Sequence, residues 1–177
     1  CKNLLLFSNY LFTYDKAQSM ENSSDLLPFF RIRSIIFIMK EDVKYKKLQQ
    51  LNRLKVDLPD YVKDYFDYCD GTLGRSYNTM ISYAYNIRNF FQFLIDRNSL
   101  ISEYSDITID MLNQINALDM QKYMSYLRLH MTEYETVHNE AKARAQKLSC
   151  MRAFFQYLVT FKGLSMNVAK LIDRPKA

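Results

Sequence analysis

The residues most suggestive of chemistry are polar side chains that recur along one predicted helix. We predict this helix from Ser76 to about Arg97, because the Ser76 hydroxyl can accept a hydrogen bond from the backbone N–H of Thr79. Its apolar stripe is Met80, Ala84, Ile87, Phe91 and Leu94. Its polar stripe is Arg75, Asn78, Ser82, Asn86 and Asn89. The polar stripe spans roughly 80° at 100° per residue. It could bind base edges or phosphates, and it is equally typical of a solvated helix face.

A second predicted helix, from about Glu140 to Phe161, carries positive charge in its first three turns. Its apolar face is Ala141, Ala145, Leu148, Met151, Phe155 and Leu158. Its basic residues are Lys142, Arg144, Lys147 and Arg152. At 100° per residue, Lys142 and Arg152 lie on one flank, and the other two lie on another. We therefore do not expect all four basic side chains to contact one nucleic acid.

The distribution of charge says more than the net charge of +5. Residues 40–56 carry six basic and two acidic side chains, and residues 139–177 carry eight and two. The segment between them, 57–138, carries six basic and twelve acidic side chains. Basic blocks attract phosphate because each neutralised phosphate releases condensed counterions. A solvated, charged surface is the competing interpretation.

No pattern of catalytic or cofactor-binding residues stands out. The sequence lacks GxxxxGK[ST], GxGxxG, HExxH and GxSxG, so we expect no cofactor. His130 and His138 have no cysteine near them and are interpreted as surface histidines rather than metal ligands. Cys1, Cys69 and Cys150 are odd in number and widely spaced, which favours a reducing compartment over a disulfide framework. We therefore expect no metal site and no small-molecule substrate.

The remaining pattern predicts an all-α protein with an N-terminal extension. Only three Gly and three Pro in 177 residues leave few turns. Residues 1–56 are predicted to be the extension, with 1–38 poorly ordered or a non-native upstream segment and 40–55 a basic helix. Residues 57–177 are predicted to be the functional domain. Its other expected helices are Asp60–Asp70, Asp110–Ile115, Asp119–Leu129 and Asn167–Ile172, and His130–Asn139 is expected to be a loop or frayed extension. No apolar stretch is long enough to cross a bilayer, and the signal-like segment Leu4–Phe12 lacks a cleavage site, so we expect a cytoplasmic protein.

Three segments of the sequence resemble the amino-terminal region of phage-integrase-type tyrosine recombinases. The first is Ser76, Thr79, Tyr83, Ile87, Phe90 and Leu94, which is similar to that family's S-x-x-T-x-x-x-Y-x-x-x-L-x-x-F pattern. The second is Leu148–Leu158, which resembles its L-S-A-L-R-x-F-Y-x-Y-L helix. The third is Asn167 with Pro175 and Lys176, which resembles its closing segment. The sequence departs from the family at Gln146, where Arg is frequent, and at Val168, where Pro is usual.

This resemblance implies a four- to five-helix, SAM-like orthogonal bundle that forms one jaw of a clamp around DNA. The helices Ser76–Arg97 and Glu140–Phe161 would then face the major groove. The DNA-binding residues it implies, together with the polar stripe and the basic residues, are Arg75, Ser76, Asn78, Thr79, Ser82, Lys142, Gln146, Lys147 and Arg152. The aromatic residues Tyr83, Phe90, Phe91, Phe154 and Phe155 are interpreted as core.

The resemblance also implies what this segment does not do. The family's catalytic residues would all lie beyond Ala177, so none of the fourteen Tyr residues is expected to be its nucleophile, and the segment is expected to be non-catalytic by itself. The expected partners are double-stranded DNA and other recombinase protomers. A stand-alone α-helical interaction or regulatory domain is the alternative.

Overall fold

Helices make up most of the chain. The computed structural model describes the backbone of residues 27–131, 136–138 and 141–175, with side chains over 36–128 and 141–175. The elements are α1 Leu27–Lys55, α2 Asp60–Gly71, α3 Tyr77–Arg97, a 3-10 helix Tyr104–Asp106, α4 Ile109–Asn113, α5 Ala117–Arg128, β1 Leu129–Met131, β2 Thr136–His138, α6 Ala141–Phe161 and a 3-10 helix Val168–Leu171. The prediction of an all-α fold is confirmed, with one small hairpin added.

Helix α1 is longer than predicted. The expected start at residue 40 is wrong, because the helix begins at Leu27. The physical reason is local: Pro28 suits a first helical turn, and no further Pro or Gly occurs before Pro59. The chain divides into two compact units, residues 1–46 and 47–177. The predicted Leu4–Phe12 segment lies outside the described residues, and the proposed domain boundary at residue 57 stays a prediction.

The core of residues 47–177 is built from aromatic side chains. Phe90, Phe91, Phe154 and Phe155 are fully buried, as predicted, and Tyr83 packs partly buried against them. The Phe90 ring lies edge-on to those of Tyr123 and Phe155, with centroids 5.0 and 5.8 Å away. The Tyr65 ring of α2 lies 5.2 Å from that of Phe154. These contacts join α2, α3, α5 and α6 in one hydrophobic core.

The ends of α3 and α6 follow from local chemistry, as the sequence predicts. Ser76 caps α3, its hydroxyl accepting a hydrogen bond from the backbone N–H of Thr79 at 3.2 Å. Gly163 ends α6 with a φ of +75°, a conformation that glycine adopts without steric cost. The N–H groups of Lys162 and Leu164 then both donate to the Leu158 carbonyl, at 2.9 and 3.2 Å.

Two of the predicted connections take a different form. The segment expected to be a loop, His130–Asn139, contributes to an antiparallel hairpin in which Leu129 pairs with His138 and Met131 with Thr136. β-branched residues at 136–137 favour a strand there. Helix α5 begins at Ala117, ahead of the predicted Asp119, because the Asn116 side chain caps it. Its carbonyl oxygen accepts from the backbone N–H groups of Leu118 and Asp119, at 2.8 and 3.2 Å.

The carboxyl end of α1 is anchored in the core of residues 47–177. Leu51 is 3% exposed, and Leu54 packs against the core. Arg88 of α3 donates to the Leu54 carbonyl at 3.1 Å and also pairs with the Asp57 carboxylate. Its guanidinium lies 4.6 Å from the centre of the Tyr104 ring. The last turns of α1 are therefore part of the folded domain.

Truncating Leu51 tests this anchoring. We expect Leu51→Ala to lower the free energy of unfolding by about 2–4 kcal/mol, since it removes a buried side chain and leaves a cavity. The matched control is Val56→Ala, because Val56 is 74% exposed, and a change within about 0.5 kcal/mol is expected there. Denaturant unfolding measures both variants. Equal, small effects would contradict the anchoring.

Candidate nucleic-acid interface

The amino-terminal turn of α3 presents polar side chains to solvent. Arg75, Ser76 and Asn78 are exposed, and Thr79 and Ser82 are half-buried. The Ser76 and Thr79 hydroxyls lie 3.0 Å apart and share a hydrogen bond. These two side chains stabilise the helix start, whereas Arg75 and Asn78 extend from it. The free N–H groups and dipole of a helix start favour an anion there.

The last two residues of the predicted polar stripe, Asn86 and Asn89, face the protein interior rather than solvent. The Asn86 side chain is 9% exposed and hydrogen-bonds to Cys150 of α6. Burial raises the pKa of the Cys150 thiol to about 12, although the hydrogen bond from Asn86 acts in the opposite direction. Asn89 is half-buried, and its Oδ1 atom is buried without a hydrogen-bond partner among the described residues. The interpretation of these two residues as an outward stripe is wrong, because Asn86 contacts α6 and the Asn89 side-chain oxygen is buried.

Helix α6 carries basic and amide side chains in its first two turns. Lys142 and Gln146 are exposed, and Lys147 is half-buried. Burial lowers the pKa of Lys147, and the described part of the chain offers it no carboxylate within ion-pair distance. Lys147 lies one turn before Cys150, and Ser82 lies one turn before Asn86. Both therefore border the line along which α3 and α6 meet.

Arg152, the last of the predicted DNA-binding residues, makes hydrogen bonds within the protein. Its Nε donates to the Ala169 carbonyl at 3.1 Å, and an Nη group donates to the Ile172 carbonyl. The Asn167 amide donates in turn to the Arg152 carbonyl at 2.9 Å. These bonds join α6 to the closing 3-10 helix. That Arg152 contacts DNA stays a prediction. The hydrogen bonds within the protein indicate first of all that the Arg152 side chain stabilises the fold.

Ion pairs separate the basic residues into two groups. The acidic face of α2 pairs with three lysines: Asp60 with Lys63 at 3.0 Å, Asp64 with Lys162 at 2.5 Å, and Asp67 with Lys55 at 3.3 Å. Arg75, Lys142 and Lys147 have no such partner within the described residues. Of the predicted DNA-binding residues, these three therefore keep a positive charge that no described carboxylate neutralises, and such charges attract phosphate.

Sequence reasoning missed one exposed side chain of α3. Tyr85 is 52% exposed and lies seven residues, or two turns, beyond Asn78. Its hydroxyl accepts a hydrogen bond from the Gln50 amide of α1 at 3.4 Å. The seven-residue spacing from Asn78 could have predicted that Tyr85 lies on the same face of α3. It was not included because tyrosine is aromatic and the stripe was defined by polar side chains.

Two other kinds of site are absent from the described residues. No group of three or more His, Cys, Asp or Glu side chains gathers as metal ligands there. None of the helices in that part of the chain combines the length and apolar character that a membrane span requires.

The helical fold and the family comparison agree. Residues 62–162 match the phage integrase N-terminal SAM-like domain, and the chain belongs to this family. The predicted SAM-like fold is thereby confirmed.

Among individual proteins, the chain is 29% identical over 143 residues to tyrosine recombinase XerC of Caldanaerobacter subterraneus subsp. tengcongensis, covering 76% of this chain and 38% of that protein. It is 32% identical over 82 residues to tyrosine recombinase XerS of Streptococcus mutans, covering 46% of this chain and 23% of that protein. The chain therefore spans well under half the length of these relatives. No solved structure is significantly similar to it.

Removing the Arg152 side chain tests its structural task. We expect Arg152→Ala to lower the free energy of unfolding by about 1.5–3 kcal/mol, because two carbonyls lose a charged donor. Amide hydrogen exchange should also accelerate across Val168–Leu171. Unchanged stability combined with weaker DNA binding would instead assign Arg152 to the interface.

Replacing Lys147 is a second test, because we expect the substitution to increase stability and to weaken DNA binding. Burial lowers the pKa of Lys147 from 10.5, so the folded state binds that proton less tightly than the unfolded state. The resulting penalty is fully present at neutral pH and vanishes only above pH 10.5. We expect Lys147→Met to raise the free energy of unfolding by about 0.5 kcal/mol at pH 7 while weakening DNA binding. Loss of stability in thermal unfolding at pH 7 would contradict this assignment.

Proposed function

We propose that residues 57–177 grip duplex DNA during site-specific recombination, through the exposed sides of α3 and α6. The single observation that carries this proposal is that Arg75, Lys142 and Lys147 are exposed or half-buried without a carboxylate partner among the described residues, in a chain that belongs to the integrase SAM-like family. In this account the domain positions DNA, and strand cleavage belongs to residues outside it. The setting is the cytoplasm, without a membrane or a small-molecule substrate.

The side chains divide between two kinds of contact. Lys142, Lys147 and Arg75 bind phosphates, which supplies affinity without sequence preference. Asn78 is exposed on α3 and reads a base edge, since an amide can pair with adenine in the major groove. Gln146 is exposed on α6 and can do the same where the family has Arg. Ser76 and Thr79 stabilise the start of α3, and together with Ser82 they contact the sugar–phosphate backbone of the DNA. Other protomers would bind the adjoining sites on the DNA.

A protein-interaction role is the second candidate, and one observation favours it. Helix α1 exposes apolar side chains in the unit formed by residues 1–46: Phe37 is 59% exposed, Met39 62% and Val43 48%. An exposed apolar set of this kind is typical of a surface that contacts another protein. Binding that ignores salt would favour this candidate.

Salt dependence of binding separates the two functions. We expect the affinity for duplex DNA to fall linearly on a log–log plot against salt, and Lys142→Gln and Lys147→Gln each to flatten the slope by about one. The control is Lys63→Gln, which removes the same charge from a lysine already paired with Asp60 and should leave the slope unchanged. Fluorescence anisotropy with labelled duplex measures all four proteins. Equal slopes in all four would contradict the proposed interface.

A further inference from the structure

The last turns of α1 lie against α3 at the edge of its exposed strip. The Gln50 amide on α1 donates to the Tyr85 hydroxyl on α3 at 3.4 Å. One residue further along α1, Leu51 is buried in the core, and Arg88 of α3 binds the Leu54 carbonyl at 3.1 Å. Gln50 is therefore held beside α3 by an anchored helix rather than by a loop.

The exposed strip of α3 runs between two neighbouring helices. On one side of the strip, Asn86 contacts Cys150 of α6. On the other side, Arg88 contacts the Leu54 carbonyl of α1. Asn78 and Tyr85 lie between these two flanks, within about 20° of each other around the helix axis. A ligand that lies along this strip and touches α6 on one side can therefore reach α1 on the other.

The chemistry of the Gln50–Tyr85 pair suits an anionic oxygen. A phenol can accept and donate at the same time. Since the Gln50 amide occupies a lone pair of the Tyr85 oxygen, the hydroxyl hydrogen is left to donate outward. Tyrosine hydroxyls are among the groups that bind DNA phosphates.

Positive charge flanks this pair on α1. Lys47 and Arg53 lie one turn before and one turn after Gln50, with Lys47 half-buried and Arg53 exposed. Neither has a carboxylate partner among the described residues. Arg53 lies about 60° from Gln50 around the helix axis, on the side away from the buried Leu51. This arrangement leaves the guanidinium available to a second phosphate.

We propose that the segment 47–53 of α1 forms a third side of the DNA interface, which binds the sugar–phosphate backbone. Tyr85 donates to one phosphate, Gln50 positions the Tyr85 hydroxyl, and Arg53 neutralises a neighbouring phosphate. The interface thus spans three helices, with α3 between α1 and α6. This inference rests on the proposed function and adds a partner contact to it.

The experiment compares variants of the 177-residue chain on a fluorescein-labelled duplex of about 30 base pairs, roughly three helical turns. We expect Tyr85→Phe to weaken binding about tenfold or more, because a hydrogen bond to a charged group is lost while the ring remains. Arg53→Gln should flatten the salt slope by about one. The controls are Tyr68→Phe, which removes a hydroxyl beside the Tyr157 and Phe161 rings, and Lys63→Gln. Thermal unfolding of each variant verifies that it is folded.

A double-mutant cycle tests the positioning role of Gln50. If Gln50 acts only by orienting the Tyr85 hydroxyl, Gln50→Ala combined with Tyr85→Phe should cost no more affinity than Tyr85→Phe alone. Additive losses would overturn that role.

Two outcomes would overturn the inference and can be told apart. In the first outcome, Tyr85→Phe and Arg53→Gln bind as the unmodified chain does, while Lys142→Gln and Lys147→Gln bind more weakly. The proposal that α1 contacts DNA is then wrong, and the interface formed by α3 and α6 stands. If the unmodified chain shows no salt-dependent binding to the duplex, the proposed function fails and takes this inference with it.

Discussion

The packing of aromatic rings between α3 and α6 is the interaction on which the rest of the structure depends. Phe90 of α3 meets Phe155 of α6 edge-on, at 5.8 Å, and Tyr65 of α2 closes the core against Phe154 at 5.2 Å. Burying a side chain of this size contributes about 1.5–3 kcal/mol. Because such rings interlock in defined geometries, they also set how the two helices lie relative to each other. The polar groups outside this core are therefore held in a fixed arrangement before any ligand arrives.

Charge is distributed around that core in a way that composition does not reveal. Three of the four acids of α2 pair with Lys55, Lys63 and Lys162, and these surface pairs contribute little to stability. These pairs neutralise the bases beside α2, whereas Lys142 and Lys147 have no carboxylate partner among the described residues. Burial lowers the pKa of Lys147, so the charged form of this side chain is unfavourable in the folded state, and no carboxylate of the described residues offsets this. A cost of that kind is expected at a binding site rather than in a structural element.

Much of the fold could be predicted from local sequence, and each wrong or missing prediction has a physical reason. The start of α3 and the end of α6 depend on Ser76 and Gly163, whose effects act within a few residues. The burial of Asn86 could not be predicted, because periodicity along one helix does not say where a second helix crosses it. The hairpin was missed because strands of three residues carry little periodic signal. The tertiary bonds of Arg152 and the contact between Gln50 and Tyr85 join residues far apart in sequence, and only the folded structure brings them together.

The most direct test of the central claim is chemical-shift mapping of the isotopically labelled chain with duplex DNA. We expect backbone amide shifts to change mainly at the start of α3 and the first turns of α6, around Asn78, Ser82 and Lys142 to Lys147. We expect the ion-paired face of α2, Asp60 to Asp67, to change little. Shifts concentrated on α2, or no shifts at DNA concentrations that saturate binding, would contradict the claim that the aromatic core presents α3 and α6 to DNA as one surface.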